Sequence, residues 1–313
     1  MIVCVSANPG LDRRVRLNTL ALGQVNRVTK VEVLPGGKAA HVAMAARALG
    51  ARTVWIAFLG GAIGEQCAIE LRQLDIEVVA IPTRAPTRVN LEVIDDSGQV
   101  TELLEPGGTP DSREQQEMLQ VCATKLGESW KQALVAISGS LPAGVPADFY
   151  SRIIRSAHSA GSQVLLDTSG DALAASLAAQ PDFVKPNRSE AEALLGRPVE
   201  GSHAAQHAAA ELIARGARSA AITLGSEGLI WMESSQGPCW IASPPRLTPT
   251  SAVGCGDVTL AGFAYASQKG WQGERAVRFA TACGAANCLA QTEGRIDVKD
   301  VETLLPQIKV TRV

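Results

Sequence analysis

Short runs of β-branched and other apolar residues recur along this chain, separated by longer stretches rich in alanine and leucine. The runs at 2–6, 53–58, 76–81, 133–137, 163–167, 182–185 and 218–224 are largely apolar. Strands covered on both faces read this way, because neither side meets water. Helices are predicted between them, near 39–49, 63–74, 111–128, 147–159, 189–195 and 203–215. The alternation predicts an α/β fold with a mostly parallel sheet and helices on both faces. Two later strands near 228–232 and 238–242, joined by Ser234-Ser235-Gln236-Gly237, predict a hairpin; helices near 256–269 and 273–290 follow.

Segments 12–33 and 87–105 break the rhythm. They read as extended, and Asp95-Asp96-Ser97-Gly98 is a turn signal that pairs 87–94 with 99–104 as a hairpin. Together they predict a small β-lid standing off a core built from 1–11, 34–86 and 106–313. A lid exposes a second face that needs cover, so a homodimer through it is expected.

Composition narrows the class. The chain has 313 residues, 46% of them hydrophobic and 19% charged, with a net charge of −2. That balance argues against a nucleic-acid or membrane-surface partner. No uninterrupted apolar stretch has the length of a membrane span. Seven scattered cysteines form no Cys-x-x-Cys, which suggests reduced thiols. With Met1 running straight into a strand, no basic leader is read, and a cytoplasmic location is expected.

Chemistry concentrates at a few turns. Gly254-Cys255-Gly256-Asp257 precedes a small-residue helix, so backbone N–H groups gather at a helix start, where an anion is well held. Asp257 reads either as a helix cap or as a base beside a bound phosphate. Pro35-Gly36-Gly37-Lys38 offers a second helix start, with a lysine; the other reading is a glycine turn with an exposed side chain. Asn8-Pro9-Gly10-Leu11-Asp12 ends the first strand, where ligands of open α/β sheets gather, although taken alone a plain turn with Asp12 solvated explains it better. Ser138-Gly139-Ser140-Leu141-Pro142 ends another strand and offers hydroxyls and amides. In Lys185-Pro186-Asn187-Arg188-Ser189-Glu190, Asn187 and Glu190 have the spacing of a capping box. A Walker P-loop is excluded, since Gly36-Gly37-Lys38 lacks the glycine at position 32 and Ala39 replaces the metal-binding hydroxyl. No Gly-x-Gly-x-x-Gly follows the first strand. His203 and His207 sit four apart with no third ligand in sight, which reads as a solvated helix face.

In order and spacing, from the first residue to about 295, these segments resemble the ribokinase-type (PfkB) carbohydrate kinases, and among them the 1-phosphofructokinase and tagatose-6-phosphate kinase branch. The resemblance rests on residues 8–12, 36–38, 88–90, 139–142, 187–190, the turn from Thr223 to Gly228, and 254–257. It implies a ribokinase-like three-layer α/β/α fold and ATP- and Mg²⁺-dependent phosphorylation of a sugar hydroxyl. By the same resemblance Asp257 is the base, and Gly254, Cys255 and Gly256 form the anion hole. Asp12, Gly36, Gly37, Lys38, His41, Arg88, Asn90 and Ser138 hold the sugar. Asn187, Thr223, Gly225, Gly228 and Asn287 line the nucleotide pocket, and Asn187 and Glu190 organise Mg²⁺ through waters.

Departures from the family pattern fall inside the site. Ala39-Ala40-His41 stands where glycine, isoleucine and a sugar-touching asparagine are usual. His41 either keeps a hydrogen bond, shifts the preferred sugar, or is buried packing. Cys255 replaces alanine or serine, and a helix start is expected to lower its thiol pKa. Val258 stands where serine is frequent. Alternation places Asp12, Arg14 and Arg16 on one face, and the resemblance implies a lid geometry with Arg27 and Arg88 nearby; this favours a substrate that already carries a phosphate over arginines that merely solvate an edge strand. The leading expectation is a ketohexose phosphate (fructose 1-phosphate, fructose 6-phosphate or tagatose 6-phosphate). A kinase for a free sugar or nucleoside and a non-catalytic nucleotide- or sugar-binding sensor are the alternatives.

Overall fold

The computed structural model describes residues 1–248 and 251–313. The first part of the chain runs β1 (Ile2–Ser6), β2 (Gly10–Leu17), β3 (Lys30–Gly36), α1 (Lys38–Ala48), β4 (Thr53–Leu59), α2 (Gly61–Gln73), β5 (Glu77–Pro82), β6 (Arg88–Asp95) and β7 (Val100–Leu104). Then come α3 (Ser112–Glu128), β8 (Leu134–Ser138), α4 (Phe149–Ser159), β9 (Gln163–Asp167), α5 (Gly170–Leu177), β10 (Phe183–Val184), α6 (Arg188–Leu195), α7 (Gly201–Ala214) and β11 (Ala220–Thr223). The last part is β12 (Leu229–Met232), β13 (Cys239–Ser243), α8 (Cys255–Gln268), α9 (Gly273–Leu289), α10 (Val298–Leu304) and β14 (Lys309–Arg312).

The large sheet has the order β14-β13-β12-β11-β10-β9-β8-β1-β4-β5, parallel from β11 to β5 and antiparallel at the β12–β14 edge. Side-chain alternation makes it a middle layer. In β1, Ile2 and Cys4 join the apolar core under α1, α2, α8, α9 and α10, while Val3 and Val5 join the core under α3 to α7. All four are essentially inaccessible to water, which is why the strand reads as a continuous apolar run. This is the expected ribokinase-like α/β architecture. Three elements went unread in the sequence, α5, α10 and β14; β14 is mostly exposed at the sheet edge and so carries no burial pattern.

The smaller sheet has the order β3-β2-β6-β7. It reaches back to Gly10 and forward to Gly36, beyond the expected 12–33 boundary on both sides. The parallel β2–β6 register sets Asp12 opposite Asn90 and Arg14 opposite Glu92. The two sheets meet where β1 hands over to β2 and β3 to α1, so residues on β2 and β6 face the C-terminal ends of the large sheet's parallel strands. That edge is where ligands of open α/β sheets bind. No helix among the described residues is long and apolar enough to cross a membrane.

Candidate active site

A cleft of about 940 Å³ opens at that edge, lined by residues from both sheets and from α1, α8 and α9. Its centre is the start of α8. Gly254 takes a left-handed conformation (φ 74°) and has no side chain to cap the helix. A Cβ there would come within 3.1 Å of Glu293 Cβ. The uncapped first turn therefore presents its amides to the cleft. Close packing of α8 on α9 fixes the turn: a Cβ on Gly284 would fall 2.2 Å from Thr259 Oγ1. Thr259 Oγ1 donates to the Cys255 carbonyl at 2.8 Å.

Asp257 is not the helix cap. It lies three residues past Gly254, 6% exposed, with its carboxylate turned away from the backbone and toward His41. His41 Nδ1 lies 2.9 Å from Asp257 Oδ2, and its Nε2 lies 3.1 Å from Asp12 Oδ2. Asn90 Nδ2 donates to the other Asp12 oxygen at 2.7 Å. Burial pushes the Asp12 carboxyl up, but hydrogen bonds from His41 and Asn90 outweigh it and hold the group below its ordinary value. Burial likewise opposes charge on His41, yet its two carboxylate partners raise its pKa well above the usual histidine value. Gly36 makes room for this cluster, since a Cβ there would sit 2.1 Å from the Asp12 carboxyl carbon.

Lysines form the second group. Lys38 Nζ lies 3.0 Å from Glu190 Oε1 and 3.5 Å from Asp167 Oδ1, and Lys185 Nζ lies 2.9 Å from Asp167 Oδ2. The charge of Asp167 is the largest influence on Lys38, and with Asp257 and Glu190 it keeps the ammonium protonated against its burial. Asp167 is held below its ordinary value by the two lysines, which overcome its complete burial. Asp167 and Lys185 line the cleft and were not singled out in the sequence. The available signal was a lone acid and a lone base, each closing an apolar strand.

Asn187 and Glu190 form a complete capping box: Asn187 Oδ1 accepts from Glu190 N–H, and Glu190 Oε2 accepts from Asn187 N–H, each at 2.9 Å. Both Glu190 oxygens are engaged, one by this box and one by Lys38, leaving only their outward lone pairs for a hydrated cation. An isolated bridge joins Asn187 to Thr223, which brings this corner against the turn Leu224–Gly228. Thr223, Gly225 and Gly228 all line the cleft, as do Gly37 and Arg88. A Cβ on Gly228 would strike the Ala242 carbonyl at 1.9 Å, so the turn requires glycine.

Several expected residues lie elsewhere. Asn287 is buried behind the wall, donating to the Val253 carbonyl and accepting from Gly294 N–H, each at 2.8 Å. It braces the Gly254 turn, while Thr281, Ala285 and Cys288 supply the α9 side of the cleft. Ser138 and Gly36 are likewise buried and outside the lining. Arg14 shares a strand face with Asp12 but is not part of the cleft lining. It is 2% exposed, bonded to Glu92 at 2.9 Å, to Glu293 and to the Gln291 carbonyl at 2.8 Å. Arg16 faces Glu32, and Arg27 sits on the exposed connection between β2 and β3. Of the expected arginines only Arg88 reaches the cleft. His203 and His207 are exposed and meet edge to face, with no metal-binding cluster among the described residues.

Cys255 departs from expectation. Its Sγ lies 2.9 Å from Cys288 Sγ. The thiol–thiol contact, then burial and the charge of Asp257 push Cys255 up, against the hydrogen bond from Asn287 and opposite to the lowering expected of a helix start. All seven cysteines are free thiols.

An uncapped helix start, an adjacent buried carboxylate and polar side chains of a small sheet thus share one cleft. The chain belongs to the pfkB family of carbohydrate kinases, whose pattern matches residues 6–297. It is a sugar kinase, a phosphotransferase. It is 38% identical over 272 residues to the 1-phosphofructokinase of Xanthomonas campestris, covering 84% of this chain and 83% of that one. It is 31% identical to the Vibrio cholerae 1-phosphofructokinase, covering 99% and 96%. The crystal structure of Escherichia coli phosphofructokinase-2 in complex with fructose-6-phosphate superposes with a TM-score of 0.88 at 28% identity, covering 98% of each chain.

Proposed function

We propose that this kinase transfers the γ-phosphoryl group of ATP to a free hydroxyl of a ketohexose monophosphate, as a 1-phosphofructokinase does. The observation that carries the reading is the convergence on one cleft of the uncapped α8 start, Asp257, and the Asp12–Asn90 pair of the small sheet. In this reading Asp12, Asn90, Gly37 and Lys38 orient the sugar. Asp257 takes the hydroxyl proton as the oxygen attacks phosphorus and the bond to the leaving diphosphate breaks. The amides from Gly254 to Gly256 stabilise charge on the transferring group, the main source of rate in such reactions. Thr223, Gly225 and Gly228 cradle the nucleotide. The engaged state of Glu190 fits a magnesium ion held through water by Asn187 and Glu190, since that ion keeps much of its hydration shell. The ion would screen charge between the phosphates when bound.

Arg88 supports a substrate that already carries a phosphate. Its guanidinium meets only the Glu105 and Asn8 carbonyls, at 2.9 and 3.3 Å, and its buried Nε has no partner. Among the described residues no carboxylate lies within ion-pairing distance of it. A half-buried, incompletely satisfied guanidinium at a cleft wall suits a phosphate fork. Arg88→Ala is expected to raise KM for the sugar phosphate by about 10- to 100-fold, the value of hydrogen bonds to a charged group, with KM for ATP unchanged. ADP release measured over fructose 1-phosphate, fructose 6-phosphate, tagatose 6-phosphate and the free sugars checks both points. Turnover confined to free sugars, or an Arg88 variant with unaltered KM, would defeat the phosphosugar reading.

The small sheet and its long connection expose Leu22 and Val25 on the connection and Val31 and Leu103 on the face away from the cleft. Apolar side chains exposed on that face favour a homodimer through the sheet. Light scattering is expected to give twice the chain mass for the wild type and the chain mass for Val31→Glu/Leu103→Glu. An unchanged mass in the double variant would move the interface elsewhere.

A further inference from the structure

His41 joins two parts of the molecule at one point. It stands on α1 of the core, with Asp12 from the small sheet on one ring nitrogen and Asp257 from α8 on the other. It is 5% exposed, and each ring nitrogen meets a carboxylate rather than open solvent. A neutral imidazole has one N–H and can donate to only one carboxylate; the imidazolium donates to both. The family's usual asparagine also lacks this symmetry, because its amide donates from one end only.

We propose that His41 is a positioning residue that, as an imidazolium, ties the sugar-gripping acid of the small sheet to the proton-accepting acid of α8, so that the base is aimed only while the small sheet is seated. The inference rests on the kinase reading for the roles of the two acids. The bridge itself rests on geometry alone.

The charged groups around His41 are consistent with a bridging cation. Asp12 faces it from β2 and Asp257 from α8. Lys38 lies one turn earlier on its own helix but is directed to Glu190 and Asp167. Behind Asp12 stand Arg88, Glu92 and Glu102, whose charges reach Asp12, and the Arg14–Glu293 pair, which neutralises part of Glu92. From the loop after α9, Gly294 packs on the His41 backbone without adding charge. A histidine whose pKa is raised in the folded protein keeps its charge below that value and loses it as pH rises through it. The bridge is therefore intact at neutral pH and opens on the alkaline side, above the ordinary histidine range.

Two measurements test this. The first uses the ring resonances of the four histidines, with His41 assigned by its absence in His41→Asn. His41 is expected to titrate well above the ordinary histidine range, and Asp12→Asn is expected to lower its midpoint. An ordinary midpoint, or one that Asp12→Asn leaves in place, overturns the bridge whatever the substrate proves to be. The second is the pH dependence of kcat for a substrate the wild type turns over. The wild type is expected to lose activity through an alkaline limb at the His41 midpoint. His41→Asn is expected to lower kcat on the order of 10²-fold, the cost of a misaimed catalytic group, to lack that limb, and to keep its affinity for ATP. A purely structural role would lower activity evenly and leave the limb in place. If His41→Asn fails to fold, His41→Gln takes its place in both measurements. A wild type that titrates as expected but phosphorylates no sugar retires the kinase reading and leaves the bridge standing.

Discussion

Asp257→Asn is expected to reduce kcat on the order of 10²- to 10⁴-fold, the usual contribution of a positioned general base. The substitution keeps the side chain's shape and an oxygen that can accept from His41, so the α8 start and the Asp12–His41 contact survive. What it removes is a group able to take the hydroxyl proton as the new phosphoester forms. Asp257 sits three residues into α8, below the amides of the anion cradle and on the sugar side of the cleft. The turn at Thr223–Gly228, proposed above to cradle the nucleotide, is carried by other elements. Affinity for ATP, read by calorimetry, is therefore expected to stay at the wild-type value while kcat collapses. A variant with near-wild-type kcat would remove Asp257 from the chemistry.

Arg14→Ala is expected to cost about 3–5 kcal/mol of stability, the loss typical of breaking a buried ion pair from one side. Glu92 and Glu293 face the same guanidinium and are each only 3% exposed as side chains. Without Arg14 they lie near one another with no cation between them. Even with Arg14 present, burial and then the charge of Glu293 raise Glu92 above its ordinary carboxylate value. The sign of the pH effect follows. A carboxyl whose folded pKa is raised favours folding at low pH and loses that advantage as pH rises through the folded value. The defect should thus be smallest in mild acid and largest at neutral pH and above. Denaturant unfolding at several pH values checks this, and a loss independent of pH would show that packing, not charge, explains Arg14. The loop holding Glu293 also presses on Gly254 and anchors Asn287 through Gly294. Activity should therefore fall before the protein unfolds.

The fold was legible because a parallel sheet covered on both faces writes each strand as an apolar run, and the loops between such strands are short. Helix starts were legible for a similar reason. Glycine at 37 and 254 and the Asn187–Glu190 spacing are local, and local chemistry decides them. The pairings were not. Alternation correctly put Asp12 and Arg14 on one face of β2, but it says nothing of what that face meets. Asp12 meets the cleft, whereas Arg14 meets two glutamates and a carbonyl from distant segments. The bridge from Asp12 through His41 to Asp257, the Asp167 pairings with Lys38 and Lys185, and the Cys255–Cys288 contact depend on the same kind of tertiary meeting. Cys255 shows the consequence most plainly, for the helix start argues one direction for its thiol and a neighbour 33 positions away reverses it.

The central claim is that Asp257 and the α8 cradle phosphorylate a sugar that already bears a phosphate. Phosphorus NMR of the product formed from ATP and fructose 1-phosphate, with fructose 6-phosphate and tagatose 6-phosphate in parallel, tests it most directly. A ketohexose bisphosphate carrying one new phosphoester for each ATP consumed, formed by the wild type and absent with Asp257→Asn, is the predicted result. No new phosphoester on any of the three, or the same yield from the Asp257 variant, would contradict it.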